Sequence, residues 1–182
     1  YAPRYAENLR ALGVPAWAAS TGGFFSASEI ATILSFLRVI DNPNQDIPLL
    51  AVLMSPVYGF TADDMARLRA GCGGETLYVS LLRAEDARCM RVREEIARYR
   101  ILASTMPSDA FITMLCDETG FENIVRSMPG GEGRLANLRL LEQYAAEYEA
   151  YGYNGISGFV RFIDRLKKNR SDMESANVVS EN

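Results

Sequence analysis

The sequence contains no histidine and only three cysteines among its 182 residues. Without histidine, Ser–His and Cys–His nucleophile pairs and histidine-ligated metals are excluded within this chain. Cys72, Cys89 and Cys116 are too widely spaced for a disulfide framework or a metal-ligand motif. We therefore interpret them as free thiols and expect a protein of the reducing cytoplasm.

Long hydrophobic runs and an excess of positive charge are also missing. No stretch of about 18 apolar residues occurs, so we expect no membrane-spanning segment. The formal net charge of -4 provides no overall basic field, so any contact with nucleic acid must come from a local patch. Because 48% of the residues are hydrophobic, the chain can bury a core. It starts without methionine and inside a helical pattern, as expected for a piece of a longer protein.

What the sequence does contain is helical periodicity, interrupted by proline and glycine. It predicts a mainly α, irregular multi-helix fold with at most one short β segment, near residues 14–18. A first predicted helix ends at Leu12 before Gly13, and a second ends at Asn42-Pro43. The predicted helices that follow span about 47–54, 62–70, 76–83, 85–104, 108–118, 121–127, 133–151 and 156–168. Residues 171–182 are polar and aperiodic, which predicts a flexible tail.

Three side chains are candidates for helix N-caps. The spacing Ser26–Glu29 is typical of a capping box, in which each residue bonds to the other's backbone amide. Thr61-Ala-Asp-Asp64 is expected to cap the helix at 62–70. Asp46 precedes Pro48 and is expected to cap its own short helix.

The glycine-rich segment "GCGGETL" follows no predicted strand and carries no lysine, so it does not fit a phosphate-binding nucleotide loop. We interpret it as a linker between subdomains. The paired acidic residues lie on helices, where neighbouring side chains point about 100° apart and cannot easily chelate one ion. The residues therefore predict neither a catalytic site nor a metal site.

A second glycine-rich stretch is a candidate anion site. In "MPGGEGRLANLRLL", Gly130, Gly131 and Gly133 precede a predicted helix that carries Arg134 and Arg139 in its first turns. Free amides at a helix start, approached closely through glycine and flanked by arginine, suit a phosphate oxygen. A plain turn followed by an N-cap is the alternative, and the residues alone favour it.

Two further stretches are weaker candidates for contact with nucleic acid. The "YGFT" turn places Gly59 and Thr61 at another capped helix start, with the same alternative interpretation. The helix end "RFIDRLKKNR" includes Arg165, Lys167 and Lys168 and has a local charge of +4. Cations at a helix C-terminus favour the helix dipole, so a solvated helix end is the default interpretation and a nucleic-acid patch the alternative. The phenylalanines fall at core spacing rather than forming a base-stacking platform.

Three separated motifs, "IDNPNQDIPLLAVLMSP", "MPGGEGRLANLRLL" and "GFVRFIDRL", occur in an order that resembles one family. They are similar to the region after motif IV of UvrD/Rep-type superfamily 1 DNA helicases, and most of all to the AddA subunits of AddAB helicase–nucleases. The likeness extends from residue 1 to about residue 168. It implies that residues 1–72 form the helical edge of motor domain 2A and residues 73–170 an accessory 2B-like subdomain.

The resemblance implies a parent enzyme that unwinds DNA with ATP and Mg²⁺ and degrades double-strand ends for repair, together with an AddB-like partner subunit. The ATP-binding and nuclease motifs would lie outside this chain, which would itself need no cofactor. Its expected role is to guide duplex DNA next to the helicase motor, with Gly130, Gly131, Gly133 and Arg134 matching the family's phosphate-binding helix start. At "YGFT" the family usually has Arg-Gly-Ile-Gly, so the loss of a cation and a glycine weakens that site. The alternative role is a protein–protein module that contacts the partner subunit without binding DNA.

Overall fold

The computed structural model describes residues 23–70 and 75–180, and the side chains up to residue 168. The predicted helix that ends at Leu12, the predicted β segment near residues 14–18 and the four residues 71–74 of the predicted linker lie outside this range. Nine α-helices follow a short 3-10 turn at Phe24–Ser26 in the described residues, and strands are absent from them. The prediction of a mainly α fold is thus confirmed. The helices are α1 Ser28–Asp41, α2 Asp46–Leu53, α3 Ala62–Ala70, α4 Leu77–Arg83, α5 Ala87–Ala103, α6 Ser108–Glu118, α7 Phe121–Ser127, α8 Gly131–Ala150 and α9 Ile156–Ser180.

The helix boundaries follow the proline and glycine residues of the sequence. Asn42, extended before Pro43, ends α1. Gly120 has a φ of +64° and separates α6 from α7, a backbone conformation that glycine adopts without a steric penalty. The bounds of α6 and α7 match the predicted ones. Helix α9 is longer than predicted, because it continues past Lys168 to Ser180.

Helix α1 lies at the centre of the fold and packs against α2, α5, α8 and α9. Its apolar residues recur at helical spacing, so one face of the helix is buried. The largest side chains of the core that are shielded completely from solvent are Phe111, Phe121, Phe159, Ile30, Ile33, Leu37, Leu49, Leu53, Leu81, Ile112, Leu115 and Leu141. The core therefore includes residues from both sides of the linker. The division into a motor edge and an accessory subdomain stays a prediction.

A glycine of α9 makes room for a tyrosine side chain of α8. A Cβ atom at Gly158 of α9 would clash with the hydroxyl of Tyr148 on α8. The Tyr148 ring contacts both Phe159 and Phe162, with ring centroids 5.7 and 5.4 Å away. Phe159 is buried and Phe162 is half-buried against the core, so both phenylalanines serve in packing, as the sequence predicts. None of the helices within the described residues has the length and apolarity needed to cross a membrane.

The caps predicted at Ser26 and Thr61 have different outcomes. The Thr61 amide donates to Asp64 Oδ2 at 2.9 Å and the Asp64 amide donates to Thr61 Oγ1 at 3.2 Å, so the predicted cap of α3 is confirmed and takes the form of a capping box. The Ser26–Glu29 box is wrong, because α1 begins at Ser28 without a side-chain cap and Ser26 Oγ donates to the carbonyl of Gly23. Glu29 is buried and has partners elsewhere in the fold.

Asp46 does not cap its own helix as predicted, since α2 has no side-chain cap. Its Oδ1 atom instead accepts from the amide of Leu77 at 2.8 Å, the first residue of α4. Its Oδ2 atom accepts from Arg69 Nη2 at 2.8 Å. Asp46 thus caps a helix 31 positions further along the chain.

Candidate nucleic-acid interface

The start of α8 is an open helix N-terminus built from glycine. Gly130 is exposed and has a φ of +74°, which turns the chain into the helix. A Cβ atom at Gly131 would clash with the backbone carbonyl of Arg126, so α8 begins tightly against the end of α7. Within the described part of the chain, the amides of Gly131, Glu132 and Gly133 have no acceptor. The positive end of the helix dipole therefore faces solvent, with the exposed Glu132 side chain in the same turn.

Arg134 lies in this first turn but points towards α1 rather than towards solvent. Its Nη1 atom donates to Glu29 Oε2 at 2.5 Å and to Ser28 Oγ at 2.7 Å, and its Nε atom donates to the carbonyl of Pro129 at 3.0 Å. Asn137 donates to the other oxygen of Glu29 at 2.7 Å. Arg134 thus neutralises a buried carboxylate, a contact that links the starts of α1 and α8.

Arg139 does not share a face with Arg134. Five residues along an α-helix correspond to a rotation of about 140°, so the two guanidinium groups diverge. Arg139 is exposed and makes no hydrogen bond or ion pair with the described residues. Burial raises the pKa of Glu142, three residues further on, and the positive charge of Arg139 partly opposes this shift. The structure therefore groups Gly130, Gly131, Gly133 and Arg134, and separates Arg139 from them.

Arg126 is a cation beside the α8 start that the sequence did not reveal. It is exposed in the last turn of α7, and its own backbone is the surface against which Gly131 packs. It forms no ion pair inside the described ranges. Its position five residues before Gly131 is not a recognisable signal, because no regular spacing connects the two helices.

The start of α3, which carries Gly59 and Thr61, is already occupied by an internal anion. Asp64 Oδ2 accepts from both the amide and the hydroxyl of Thr61, each at 2.9 Å. These two bonds hold the pKa of the Asp64 carboxyl below its usual range. A phosphate oxygen at this helix start would compete with a carboxylate that is part of the chain itself.

A cation does lie beside "YGFT", and it comes from α5. Arg88 Nη2 donates to the carbonyls of Tyr58 and Gly59, both at 3.1 Å. The same guanidinium lies 4.1 Å from the centre of the Phe60 ring, a cation–π contact, and its Nη1 atom is 3.4 Å from Asp64 Oδ2. Arg88 is therefore engaged in holding this turn together.

The third candidate region forms a cationic face on α9. Arg161, Arg165 and Lys168 are exposed and follow the spacing i, i+4, i+7, so they line one side of the helix. We call these three residues the α9 basic face. None of them is paired with an acidic group in the described part of the chain. Lys167 is also exposed, but it lies about 120° around the helix from Arg161. The sequence pattern had indicated Arg165, Lys167 and Lys168 but not Arg161, which the spacing could have added.

Asp164 is the only acidic residue between positions 156 and 168, and it lies at the edge of the α9 basic face. Its Oδ1 atom accepts from Arg38 Nη2 of α1 at 2.5 Å. Among the side chains that the structure describes on α9, no anion therefore pairs with the cations of the face.

The described residues offer neither a reactive thiol nor a cluster of metal ligands. Burial raises the pKa of Cys89 to about 12, and it raises that of Cys116 to about 12 as well. Both therefore stay protonated and unreactive at neutral pH. Cys89 lines a cleft of about 580 Å³ next to the α3 start, with Phe60 and Arg88 on its walls. No group of three or more acidic or cysteine side chains in the described ranges could hold a metal ion.

Comparison with known proteins identifies relatives along the whole chain. The chain is 38% identical over 189 residues to the AddA subunit of the ATP-dependent helicase/nuclease of Acetivibrio thermocellus, and 40% identical over 188 residues to that of Thermoanaerobacter sp. (strain X514). It is 38% identical over 194 residues to the corresponding subunit of Clostridium novyi. Each comparison covers 100% of this chain, which spans only 15% to 16% of the length of these curated relatives. No family model matches the chain.

The chain is thus an all-helical segment, within the described residues, of the kind found in ATP-dependent helicase/nucleases. Over its full length it is homologous to a segment of AddA, the A subunit of these relatives. The resemblance drawn from the three sequence motifs is confirmed.

Proposed function

We propose that the chain is a non-catalytic, 2B-type accessory region of an ATP-dependent DNA helicase and exonuclease that repairs double-strand breaks. In this role it guides duplex DNA next to the motor through contacts with the phosphate backbone. ATP and Mg²⁺ act elsewhere in the parent subunit, which works in the cytoplasm with an AddB-like partner. The homology to AddA supports the parent activity, and the described residues supply the proposed contacts.

The observation that carries the DNA-guiding role is the α9 basic face. Its three exposed cations, Arg161, Arg165 and Lys168, lie on one side of the helix, and the nearest acid on that helix, Asp164, is engaged elsewhere. Contacts of this kind read no sequence and release counterions, so they make affinity depend steeply on salt. The open α8 start, with Gly130, Gly131 and Gly133, is the second proposed contact, and Arg126 beside it is better placed than the engaged Arg134 or the more distant Arg139 to supply its cation.

The α3 start has a smaller part in this proposal. Gly59 and Thr61 lie next to a carboxylate that already occupies the anion position. Lys167 lies outside the α9 basic face and is expected to contribute less than its neighbours.

The test is a salt titration of duplex binding by the full-length subunit with its partner. Arg161→Ala, Arg165→Ala and Lys168→Ala together should lower the slope of log K against log salt by about 3, roughly one unit for each phosphate contact. Alanine keeps the helix intact. Arg100→Ala, an exposed arginine of α5 that has no acidic partner in the described residues, is the control for a general loss of charge. An unchanged slope in the triple variant would refute the role of the α9 face.

One observation favours contact with the partner subunit as a second function. Ile47, Leu50 and Met54 form an exposed apolar stripe along α2, and Ile47 is 83% exposed. Apolar stripes of this kind often mark protein interfaces. Ile47→Glu should weaken assembly with the AddB-like subunit if that surface is covered in the complex, whereas duplex affinity should stay the same.

A further inference from the structure

The Arg38–Asp164 ion pair joins α1 to α9 at the edge of the α9 basic face. The distance between Arg38 Nη2 and Asp164 Oδ1 is 2.5 Å, and both side chains are partly exposed, 26% and 49%. An ion pair in contact with solvent contributes little to folding stability. Its more important consequence concerns the direction in which the Asp164 carboxylate points.

Without Arg38, Asp164 has two cationic neighbours on its own helix. Arg161 lies three residues before it and Lys168 four residues after it, the two spacings at which side chains on a helix meet. The carboxylate could pair with either of them. The α9 basic face would then present fewer unpaired cations to a polyanion.

The other acids of α1, the helix that packs against α9, are not placed to do the same. Glu29 is buried and bound to Arg134, so it does not reach the face. Asp41 lines a separate cleft with Ile156 and Ser157, at the opposite end of the described part of α9. Among the acids described on α1 and α9, Asp164 is therefore the one whose direction changes the charge of the face.

We propose that Arg38 is a positioning residue for DNA binding: it withdraws Asp164 from the α9 basic face and so keeps Arg161, Arg165 and Lys168 available for backbone phosphates. The proposal rests on the proposed DNA-guiding function and adds a residue on a different helix that touches no DNA. The charge complementarity between three exposed cations and the phosphate backbone identifies duplex DNA as the occupant.

The experiment compares salt titrations of duplex binding in the full-length subunit with its partner. Arg38→Met keeps the aliphatic part of the side chain and removes its charge. It should lower the slope of log K against log salt by about 1, as much as the loss of one phosphate contact. Arg38→Lys, which can still pair with Asp164, should keep the parent slope.

The double variant Arg38→Met with Asp164→Asn separates positioning from direct contact. If Arg38 acts only through Asp164, the double variant regains the parent slope, because Asp164 no longer offers a carboxylate to the face. If Arg38 touches DNA itself, the slope stays low and the proposal is overturned. It is also overturned if Arg38→Met behaves like the Arg100→Ala control, since a general loss of charge then explains the effect.

The failure of this inference can be told apart from the failure of the proposed function. If the triple variant of the α9 basic face keeps the parent slope, both the proposed DNA-guiding function and the positioning role of Arg38 are refuted. If the slope is lowered in the triple variant but unchanged in Arg38→Met, only the positioning role of Arg38 is refuted. If Arg38→Met weakens binding to the partner subunit but leaves the salt dependence unchanged, the face serves a protein contact and the inference is overturned.

Discussion

The α3 and α8 starts share a glycine turn at positive φ, yet only one of them is open to an external anion. At α3, the carboxylate of Asp64 accepts from the amide and hydroxyl of Thr61, and Arg88 supports the turn from α5. At α8, no side chain caps the helix, and Arg134 is directed at the buried Glu29. Two similar sequence patterns thus differ in where their charged side chains find partners. The glycines alone do not reveal which helix start could bind phosphate.

The strongest test of this difference removes Arg134. Arg134→Ala leaves the Glu29 carboxylate buried without its charged partner, so the free energy of unfolding should fall by about 3 kcal/mol. Urea denaturation of this chain would measure the change. Arg139→Ala, on the same helix without a partner in the described residues, should change it by less than about 0.5 kcal/mol. Equal stability of the two variants would mean that Arg134 has no structural role and is available for phosphate.

A smaller loss of stability is expected from adding a methyl group where α8 begins against the end of α7. Gly131→Ala places a methyl group against the carbonyl of Arg126, and relief of this clash should cost about 2 kcal/mol. Gly133→Ala is the matched control, because its Cβ would meet open space and alanine favours the helix by about 0.5–1 kcal/mol. Thermal unfolding would show opposite shifts for the two variants. A shift in the same direction would contradict the packing at the α8 start.

The smallest effect concerns the cap of α3. Thr61→Ala removes one hydroxyl bond to Asp64 and should cost about 1 kcal/mol, while Thr61→Ser should be nearly neutral. Because the pKa of Asp64 is lowered in the folded state, its contribution is present above the ordinary value of about 3.9 and is lost as the pH falls through the folded value. Unfolding free energies measured from about pH 6 to about pH 2 should therefore fall less in Thr61→Ala than in the parent chain. The same acid dependence in both would show that the hydroxyl does not hold this carboxylate.

Local signals predicted the helices and the cap of α3. The Thr61–Asp64 box forms because both members act within one turn and no distant group competes for Asp64 strongly enough to remove it. The Ser26–Glu29 pattern has the same spacing, but Glu29 finds Arg134, 105 positions away. Asp46 was likewise expected to cap its own helix and instead caps α4. Partners that meet only through tertiary packing leave no periodic signal in the sequence.

The same limit applies to the candidate DNA contacts. The spacing of Arg161, Arg165 and Lys168 could be found from the sequence, because one helix sets their relative directions. The pairing of Asp164 with Arg38 could not be found from the sequence, because the two residues are 126 positions apart. Arg126 escaped prediction for a related reason: only the packing of α7 against the glycine start of α8 brings it to that site.

Helix α1 connects the two proposed DNA-contact surfaces, the open α8 start and the α9 basic face. Glu29 in its first turn pairs with the start of α8, and Arg38, about 13 Å further along the helix axis, pairs with α9; α1 also packs directly against both helices. Because an α-helix of this length is stiff, a rotation of one of the two surfaces is passed on to the other through α1. The open α8 start and the α9 basic face should therefore move together. The distance between the two contacts with a bound duplex would then stay constant during the motion.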